Sequence, residues 1–230
     1  MNTENTENNK KNEEKNFNVG ELVTNTEQFV KRNQKVIITI ICVVVLCVVG
    51  YFAYKHFYSV PREESAQKEL FAAQRYFEQE DYEKALKGDG KHQGLLSIKD
   101  EYSSTKTGKL AAYYIGCIYL NQGEFQKAID NLSDFNSDDR IMSSQAKAMT
   151  GDAYAELNQL DKAISAYQDA AKADNDLTTP FVLLKMGQIY EIQKKNDKAL
   201  ECYKKIKQQY PSSMEYREIE KYISRLEAMK

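Results

Sequence analysis

The apolar residues of this chain fall into one uninterrupted block near its start and, further on, into stripes with a helical period. The block spans 36–54, reads VIITIICVVVLCVVGYFAY and contains no charged residue. As an α-helix with a rise of about 1.5 Å per residue it would be about 28 Å long, close to the thickness of the hydrocarbon core of a bilayer. The pattern therefore predicts a transmembrane helix over 36–54.

A buried strand and a cleaved signal peptide are the alternative interpretations of this block. β-Branched residues dominate it, but strands usually run only about 3 to 10 residues. A signal peptide has a shorter apolar region near the N-terminus and ends at small residues, whereas this block follows a long polar segment and ends in GYFAYK at 50–55. We therefore expect a retained anchor that contacts membrane lipid through residues 36–54.

The residues before the block divide into two parts. Positions 1–24 are rich in Asn, Glu and Lys and have little to bury, which predicts a disordered tail. The sequence NTEQFVKRNQK at 25–35 predicts a short juxtamembrane helix. Three basic residues within 31–35 precede the block, against Lys55 directly after it. The positive-inside rule then places the N-terminal tail in the cytoplasm and the C-terminal part of the chain outside it.

Beyond the block, the chain repeats itself at a period close to 35 residues, and three copies align on Gly116, Gly151 and Gly187. Each glycine is followed by a tyrosine three residues later, an alanine twelve later and a large side chain sixteen later. These positions are Tyr119, Tyr154 and Tyr190; Ala128, Ala163 and Ala199; and Leu132, Tyr167 and Tyr203. Alternating small and aromatic positions, closed in the last copy by Pro211, are typical of the tetratricopeptide repeat (TPR), whose period is about 34 residues.

A TPR consists of two helices whose axes pass closest at the small residues, and its apolar face is buried only when repeats stack. We therefore predict an all-α fold, with a single N-terminal transmembrane helix followed by a TPR helix–turn–helix solenoid and a C-terminal capping helix. The predicted TPR domain covers 60–230. Its predicted parts are repeats at about 66–105, 109–142, 144–177 and 180–213, and a cap at 214–230.

The first repeat is fainter than the others and is interrupted at 88–94 by a glycine-rich stretch. Three glycines within seven residues predict a loop that breaks the second helix of the repeat. A phosphate-binding loop is the alternative, but no strand is predicted before it and no G-K-[ST] sequence follows.

Charge and composition narrow the possible functions. A net charge of −2 argues against a nucleic-acid binder, which would need a basic surface. The four cysteines show no C-x-x-C spacing, and neither His56 nor His92 has Cys or acidic partners at the spacing of a metal site. We therefore expect no metal, no cofactor, no small-molecule substrate and no enzymatic activity.

Two smaller groups of residues could still suggest chemistry. Asp134, Asp138 and Asp139 could form a cation site, but they lie in an Asn/Ser-rich connection and are better interpreted as helix caps. Cys117 and Cys202 fall within repeat helices, where a small apolar residue is expected, and a reactive or disulfide-bonded cysteine is the alternative.

The first helices of TPRs line a groove in which partners bind. Counting from the aligned glycines, the groove candidates are Gln74, Phe77, Tyr113, Cys117, Asn121, Asp152, Glu156, Gln188 and Glu191. Chaperone-docking TPRs hold a peptide C-terminus there with a clamp of Lys, Asn and Arg. The equivalent positions here are Leu70, Gln74, Tyr113, Cys117, Ala148 and Asp152. No clamp is predicted, so an acidic tail would be repelled; the alternative is that the groove binds nothing.

The chain also resembles a known family over nearly its whole length. EQFVKRNQK at 27–35, ALKGDGKHQGLLSIKDEYSSTKTGKLAAYYIG at 85–116 and DNDLTTPFVLLKMGQIYE at 174–191 are similar to TPR-containing homologues from Bacteroidota, within the YfgM-like family of ancillary SecYEG-translocon subunits. The TPR motifs are generic, whereas the glycine-rich interruption before D-E-Y-x-x-T-K is specific.

This resemblance implies a single-pass protein of the bacterial inner membrane with a cytoplasmic N-terminus and a periplasmic TPR domain. It implies an exoplasmic, non-catalytic adaptor whose partner is a translocon component, a periplasmic chaperone or a client polypeptide. A self-associating scaffold for envelope assembly or cell division is the alternative hypothesis.

Overall fold

The computed structural model describes residues 19–133, 135 and 137–229, with side chains from Lys31 onward. The described residues fold into helices and form no strand. A π-helical turn occupies Lys55–Ser59. The α-helices are α1 Val19–Tyr54, α2 Val60–Glu78, α3 Tyr82–Lys87, α4 Leu95–Glu101, α5 Lys106–Asn121, α6 Phe125–Ser133, α7 Arg140–Glu156, α8 Leu160–Ala171, α9 Thr179–Ile192, α10 Asn196–Gln209 and α11 Tyr216–Glu227.

The chain divides into two compact units, Met1–His56 and Phe57–Lys230. Helix α1 belongs to the first unit and begins at Val19, so residues 19–24, which the sequence analysis assigned to the disordered tail, are helical. The rest of that tail lies outside the described residues. The polar composition of residues 19–24 predicted disorder because it does not support a helix by itself. These residues extend the helix that follows them, and extending a helix by one residue costs far less than nucleating one. The backbone departs from helical geometry inside α1 at Asn33, with φ −107° and ψ 15°.

Helix α1 contains the apolar block. Among the described residues, one helical stretch is long and apolar enough to cross a membrane, and it lies near the N-terminus. Its most apolar part is not buried within the protein, and Leu46 and Val49, for example, are 70% and 59% exposed. A helix that is apolar on all sides needs an apolar environment around it, and a bilayer provides one.

The second unit is built from pairs of helices joined by short turns. Helices α5 and α6, α7 and α8, and α9 and α10 pack as pairs, and each pair packs on the next. Helix α2 takes the place of a first helix and packs on α3, α4 and α5, while α11 packs on α10 at the other end. The predicted all-α solenoid with a capping helix is confirmed.

The first helix of each pair begins earlier than the predicted repeat boundary. The observed starts are Val60, Lys106, Arg140 and Thr179, against predicted boundaries at 66, 109, 144 and 180. The alignment located where helices cross, whereas a helix start is set by its N-cap. Thr105, for example, accepts a hydrogen bond from the backbone N–H of Gly108 at 2.9 Å, a cap that lies outside the repeat alignment.

The aligned glycines are the points of closest approach within each pair. A methyl group at Gly151 would lie 2.5 Å from a ring carbon of Tyr167, and one at Gly187 would overlap the ring of Tyr203. At Gly116 the same place is taken by Leu132, also sixteen residues later. Any larger residue at these positions would force the paired helices apart, so the register inferred from the repeats is confirmed.

The turns within the four pairs share one backbone geometry. In the first pair, Ala73 takes the place of the aligned glycine. The residue seven positions after Ala73 and after each aligned glycine has a positive φ, and these residues are Glu80 at 60°, Gly123 at 75°, Asn158 at 56° and Lys194 at 58°. In the last pair, the N–H of Lys194 bonds to Glu191 C=O and that of Lys195 to Tyr190 C=O, both at 2.8 Å. This is the Schellman arrangement, which satisfies the last carbonyls of the first helix. The other three turns make the equivalent bonds.

The glycine-rich loop follows α3, the second helix of the first pair, which ends at Lys87. Gly88 has φ 87° and forms a backbone bridge with Gln93. The carboxylate of Asp89 accepts the backbone N–H of His92 at 2.7 Å and the hydroxyl of Tyr76 at 2.8 Å. Hydrogen bonds from the side chain and the backbone of His92 hold the pKa of Asp89 well below its usual range. The loop is thus a compact structural element closed around a carboxylate.

The D-E-Y-x-x-T-K segment that follows this loop is fastened to the start of α2. The carboxylate of Glu63 accepts the N–H groups of Lys106 at 2.8 Å and Thr107 at 3.1 Å, together with the Thr107 hydroxyl at 2.5 Å. The neighbouring Arg62 donates to the C=O of Glu101. A carboxylate at the N-terminus of α5 satisfies free N–H groups and complements the helix dipole. The segment therefore joins the first pair of helices to the second.

The helix crossing leads to a test of the register. Replacing Gly151 or Gly187 with leucine should lower the free energy of unfolding by about 1–3 kcal/mol or more, because the new side chain must displace a buried tyrosine ring. Urea unfolding of the full chain in detergent, followed by tyrosine fluorescence, measures this. Gly50→Leu is the matched control, since nothing lies within 4 Å of a methyl group there. Unchanged unfolding midpoints in both variants would show that the crossing lies elsewhere.

Candidate partner-binding face

The predicted groove residues all lie on first helices, α2, α5, α7 and α9, and we call the side they share the A-face. Neighbouring first helices are in contact, because α2 packs on α5 and α5 on α7. Lys185 on α9 pairs with Asp152 on α7 at 3.4 Å, and Arg225 on α11 pairs with Glu191 on α9 at 2.6 Å. The A-face therefore runs without a break from α2 to α9, and the capping helix α11 is joined to its end.

The two predicted acidic residues Asp152 and Glu191 are held within the protein. Asp152 accepts the hydroxyl of Tyr167 at 2.6 Å and also faces the ammonium group of Lys185. Glu191 accepts the hydroxyl of Tyr203 at 2.6 Å and two bonds from Arg225 at 2.6 and 2.7 Å. Each carboxylate thus links the second helix of its own pair to the helix that follows the pair, α9 for Asp152 and the capping helix α11 for Glu191. The charges of Asp152 and Glu191 are therefore neutralised within the chain.

The N-terminal half of the A-face carries aromatic rings in place of ion pairs. Phe77 lies between Tyr82 and Tyr114, with ring centroids 6.1 and 4.9 Å away. Tyr114 is followed by Tyr113 at 5.9 Å, and all four side chains are half-buried. We call these four rings the aromatic array. The ring centroids of Tyr113 and Phe135 are 5.1 Å apart, so part of the Tyr113 ring is buried between helices.

The other five candidates differ in how accessible they are. Asn121 is exposed and donates to the hydroxyl of Tyr82 at 3.3 Å, while Glu156 is exposed on α7. Gln74 and Gln188 are half-buried, and Cys117 is only 7% exposed. The nine residues therefore lie on one face but do not form one continuous exposed surface.

Sequence reasoning missed four residues that shape this face, Tyr82, Tyr114, Lys185 and Arg225. The sequence contained a signal for two of them. Tyr114 lies beside the candidate Tyr113, and Lys185 lies two residues before the aligned Gly187. Arg225 gave no signal, because α11 is outside the repeat alignment.

The two cysteines and one of the aspartates considered for chemistry have roles in packing or helix capping. Burial raises the pKa of the Cys117 thiol and that of the Cys202 thiol to about 11, and neither cysteine forms a disulfide. Asp139 accepts the backbone N–H groups of Ile141 at 2.8 Å and Met142 at 3.1 Å, which confirms it as a helix cap.

The other two aspartates of the group considered as a cation site are Asp134 and Asp138. Asp138 pairs with Lys106 at 3.0 Å, and Asp134 lies outside the described residues. Over the part of the chain that the structure describes, no group of three His, Cys, Asp or Glu side chains could hold a metal ion.

Stacked helix pairs that cross at small residues, with a face formed by their first helices, define a helical-repeat scaffold for protein interaction. Comparison with protein families gives the same class. The family model described as tetratricopeptide repeat-like domain matches residues 61–191, more than half of the chain, and the chain belongs to that family. A second model, described as tetratricopeptide repeat, matches residues 181–213. A search of curated proteins finds no match.

The buried tyrosine hydroxyls predict how stability depends on pH. Burial and hydrogen bonds to Asp152 and Glu191 raise the pKa values of Tyr167 and Tyr203 well above the ordinary 10.0. Burial raises that of Tyr113 to about 12. Above pH 10.0 the unfolded chain loses these protons while the folded chain keeps them, so the free energy of unfolding should fall as pH rises.

Urea unfolding across this alkaline range measures the dependence, and Tyr203→Phe is the informative variant. It keeps the ring but removes the titrating hydroxyl, so its decline with pH should be shallower than that of the parent chain. Tyr216→Phe is the control, because Tyr216 is exposed. Equal slopes for the parent chain and both variants would contradict the role assigned to the buried hydroxyls.

Proposed function

We propose that this chain is a non-catalytic adaptor of the bacterial inner membrane, anchored by residues 36–54, whose TPR domain binds a protein partner on the exoplasmic side. The observation that carries the proposal is the combination of one exposed apolar helix with a repeat scaffold whose first helices contact one another in order. TPR domains generally bind proteins, and an anchored TPR domain can hold a partner close to the membrane.

Membrane anchoring is supported by the exposed apolar side chains of α1. Leu46 is 70% exposed and Phe52 is 62% exposed, and comparable exposure extends along the whole block. Burying these surfaces in lipid would remove apolar area from water, the dominant favourable contribution to insertion. Tyr51 and Tyr54, exposed at the end of the block, suit the membrane–water interface.

A non-catalytic role is supported by the surroundings of the reactive side chains. The two thiols of the second unit are buried, and burial disfavours the thiolate form that a nucleophile needs. His92 donates its backbone N–H to Asp89 and has its ring 3.1 Å from the same carboxylate, inside a structural loop.

The partner that we propose is a component of the Sec translocon or of the periplasmic chaperone network, or a client polypeptide. Support comes from the resemblance to ancillary translocon subunits, which extends to the glycine-rich loop and the D-E-Y-x-x-T-K segment. These two elements join the first repeat to the second in the fold. The resemblance is therefore carried by residues with a structural role as well as by the generic repeat.

The orientation of the chain can be tested directly. A reporter active only outside the cytoplasm, fused after Lys230, should be active in intact bacterial cells, whereas a reporter active only in the cytoplasm should not. The physical reason is the excess of basic residues within 31–35 over Lys55. Replacing those basic residues with glutamine is the control and should weaken the preference. A C-terminal fusion active only in the cytoplasm would overturn both the orientation and the translocon proposal.

The partner can be identified by photo-crosslinking in intact cells. A photoreactive residue at Asn121, Glu156 or Gln188 on the A-face should capture a translocon component, a periplasmic chaperone or a secreted chain. The same residue at Lys205, exposed on α10, is the control and should give much weaker crosslinks. Crosslinks from the A-face only to other copies of this chain would favour the self-associating scaffold. Equal crosslinking from all four positions would contradict binding at the A-face.

A further inference from the structure

Each of the four helix pairs of the second unit contains an aromatic ring that carries a cation supplied by the chain itself. In every helix pair, a lysine on the second helix lies over a tyrosine on the first, at 5.2–5.6 Å from the ring centroid. The pairs are Lys84 with Tyr76, Lys127 with Tyr119, Lys162 with Tyr154 and Lys198 with Tyr190. Further along, Lys185 covers Phe181, and Arg225 covers Tyr222.

The aromatic array differs from these rings. Within the described residues, no ammonium or guanidinium group lies over Phe77, Tyr82, Tyr113 or Tyr114. Arg75 is close in sequence, but two residues along a helix turn its side chain about 160° away from that of Phe77.

The charges beside the array are acidic. Glu78 is exposed, and its carboxylate adds to the effect of burial in raising the pKa of Tyr114, which places negative charge near that ring. Glu80 is exposed in the adjoining turn. On the next helix, Lys84 is already paired with Asp81 at 2.5 Å and Lys87 with Glu83 at 3.2 Å. The carboxylate of Glu78 accepts a hydrogen bond from the neutral amide of Gln74 at 3.4 Å and so keeps its charge. Negative ring faces beside an acidic charge attract a cation.

We propose that the aromatic array and Glu78 together bind an arginine or lysine side chain from a basic segment of the protein partner. The inference rests on the proposed adaptor function and adds the chemistry of the contact. The cation stacks on Tyr114 and Phe77, as lysines stack on tyrosines elsewhere in this chain, and Glu78 supplies the opposite charge. Asp152 and Glu191 do not compete for it, because Lys185 and Arg225 already neutralise them.

The test uses the full chain in nanodiscs of phosphatidylcholine, a lipid without net charge that does not attract basic peptides. The probe is a fluorescein-labelled peptide of repeated Gly-Ser-Arg, compared with the same peptide containing citrulline, which has the shape of arginine without its charge. Fluorescence anisotropy at physiological ionic strength measures affinity. The arginine peptide should bind at least about tenfold more tightly than the citrulline peptide.

Two variants should weaken binding of the arginine peptide by about three- to tenfold each, Glu78→Gln by removing the charge and Tyr114→Leu by removing the ring. Tyr114→Phe, which keeps the ring, should bind like the parent chain. Glu156→Gln removes an equally exposed acid elsewhere on the A-face and should change affinity by less than about twofold. Circular dichroism and melting of each variant show whether it is folded, and Glu78→Gln gives the result even if Tyr114→Leu does not fold.

Three outcomes would overturn the inference: equal binding of the citrulline peptide, undiminished binding by folded Glu78→Gln, or an equal loss with Glu156→Gln, which would indicate general electrostatic attraction.

The test of this contact can be distinguished from the test of the adaptor function. Crosslinks from the A-face to a partner, combined with no preference for the arginine peptide, would leave the adaptor in place and remove only this contact. A strong arginine preference without such crosslinks would support the site and count against the adaptor.

Discussion

The close approach of the two helices in each pair is the contact on which the rest of the TPR domain depends. At Gly151 and Gly187 a tyrosine ring from the second helix occupies the space where a side chain would begin. This closeness lets the hydroxyl of the same tyrosine reach a carboxylate on the first helix, Asp152 or Glu191. The carboxylates in turn reach cations on the helix that follows the pair, Lys185 on α9 and Arg225 on the capping helix α11. One steric condition therefore sets both the packing within a pair and the polar links between pairs.

These polar links also decide which parts of the A-face remain chemically available. In the C-terminal half, Asp152 and Glu191 each have a hydrogen-bonded tyrosine and a cation, so binding a partner at these acids would require breaking contacts that hold the solenoid together. In the N-terminal half, rings such as Phe77 and Tyr114 contact one another and remain half exposed. Aromatic side chains with a limited number of rotamers lose little entropy on binding, which suits this half to contact with a partner.

The interrupted first repeat contributes to this asymmetry. Its second helix ends at Lys87, and the chain closes a loop around Asp89 before α4 begins at Leu95. Position sixteen after the small residue Ala73 is Asp89 itself, so the buried tyrosine or leucine of the other pairs is missing here. The link from second helix to first is made instead by the Tyr76 hydroxyl, which donates to Asp89 at 2.8 Å. The first pair thus shares its turn with the others but has a different contact at this position.

The sequence by itself determined the apolar block at 36–54, the period of the repeats and the glycines at which paired helices cross. Each of these follows from spacing along one chain segment, because helical periodicity fixes which residues share a face. The pairing of charges was decided only by the tertiary structure. The acids at Asp152 and Glu191 were visible in the sequence, but Lys185 and Arg225, more than thirty residues away, meet them only through stacking of the pairs. The period of the sequence determines the helix face on which a residue lies, and only the packing of the helix pairs determines which side chain lies opposite it.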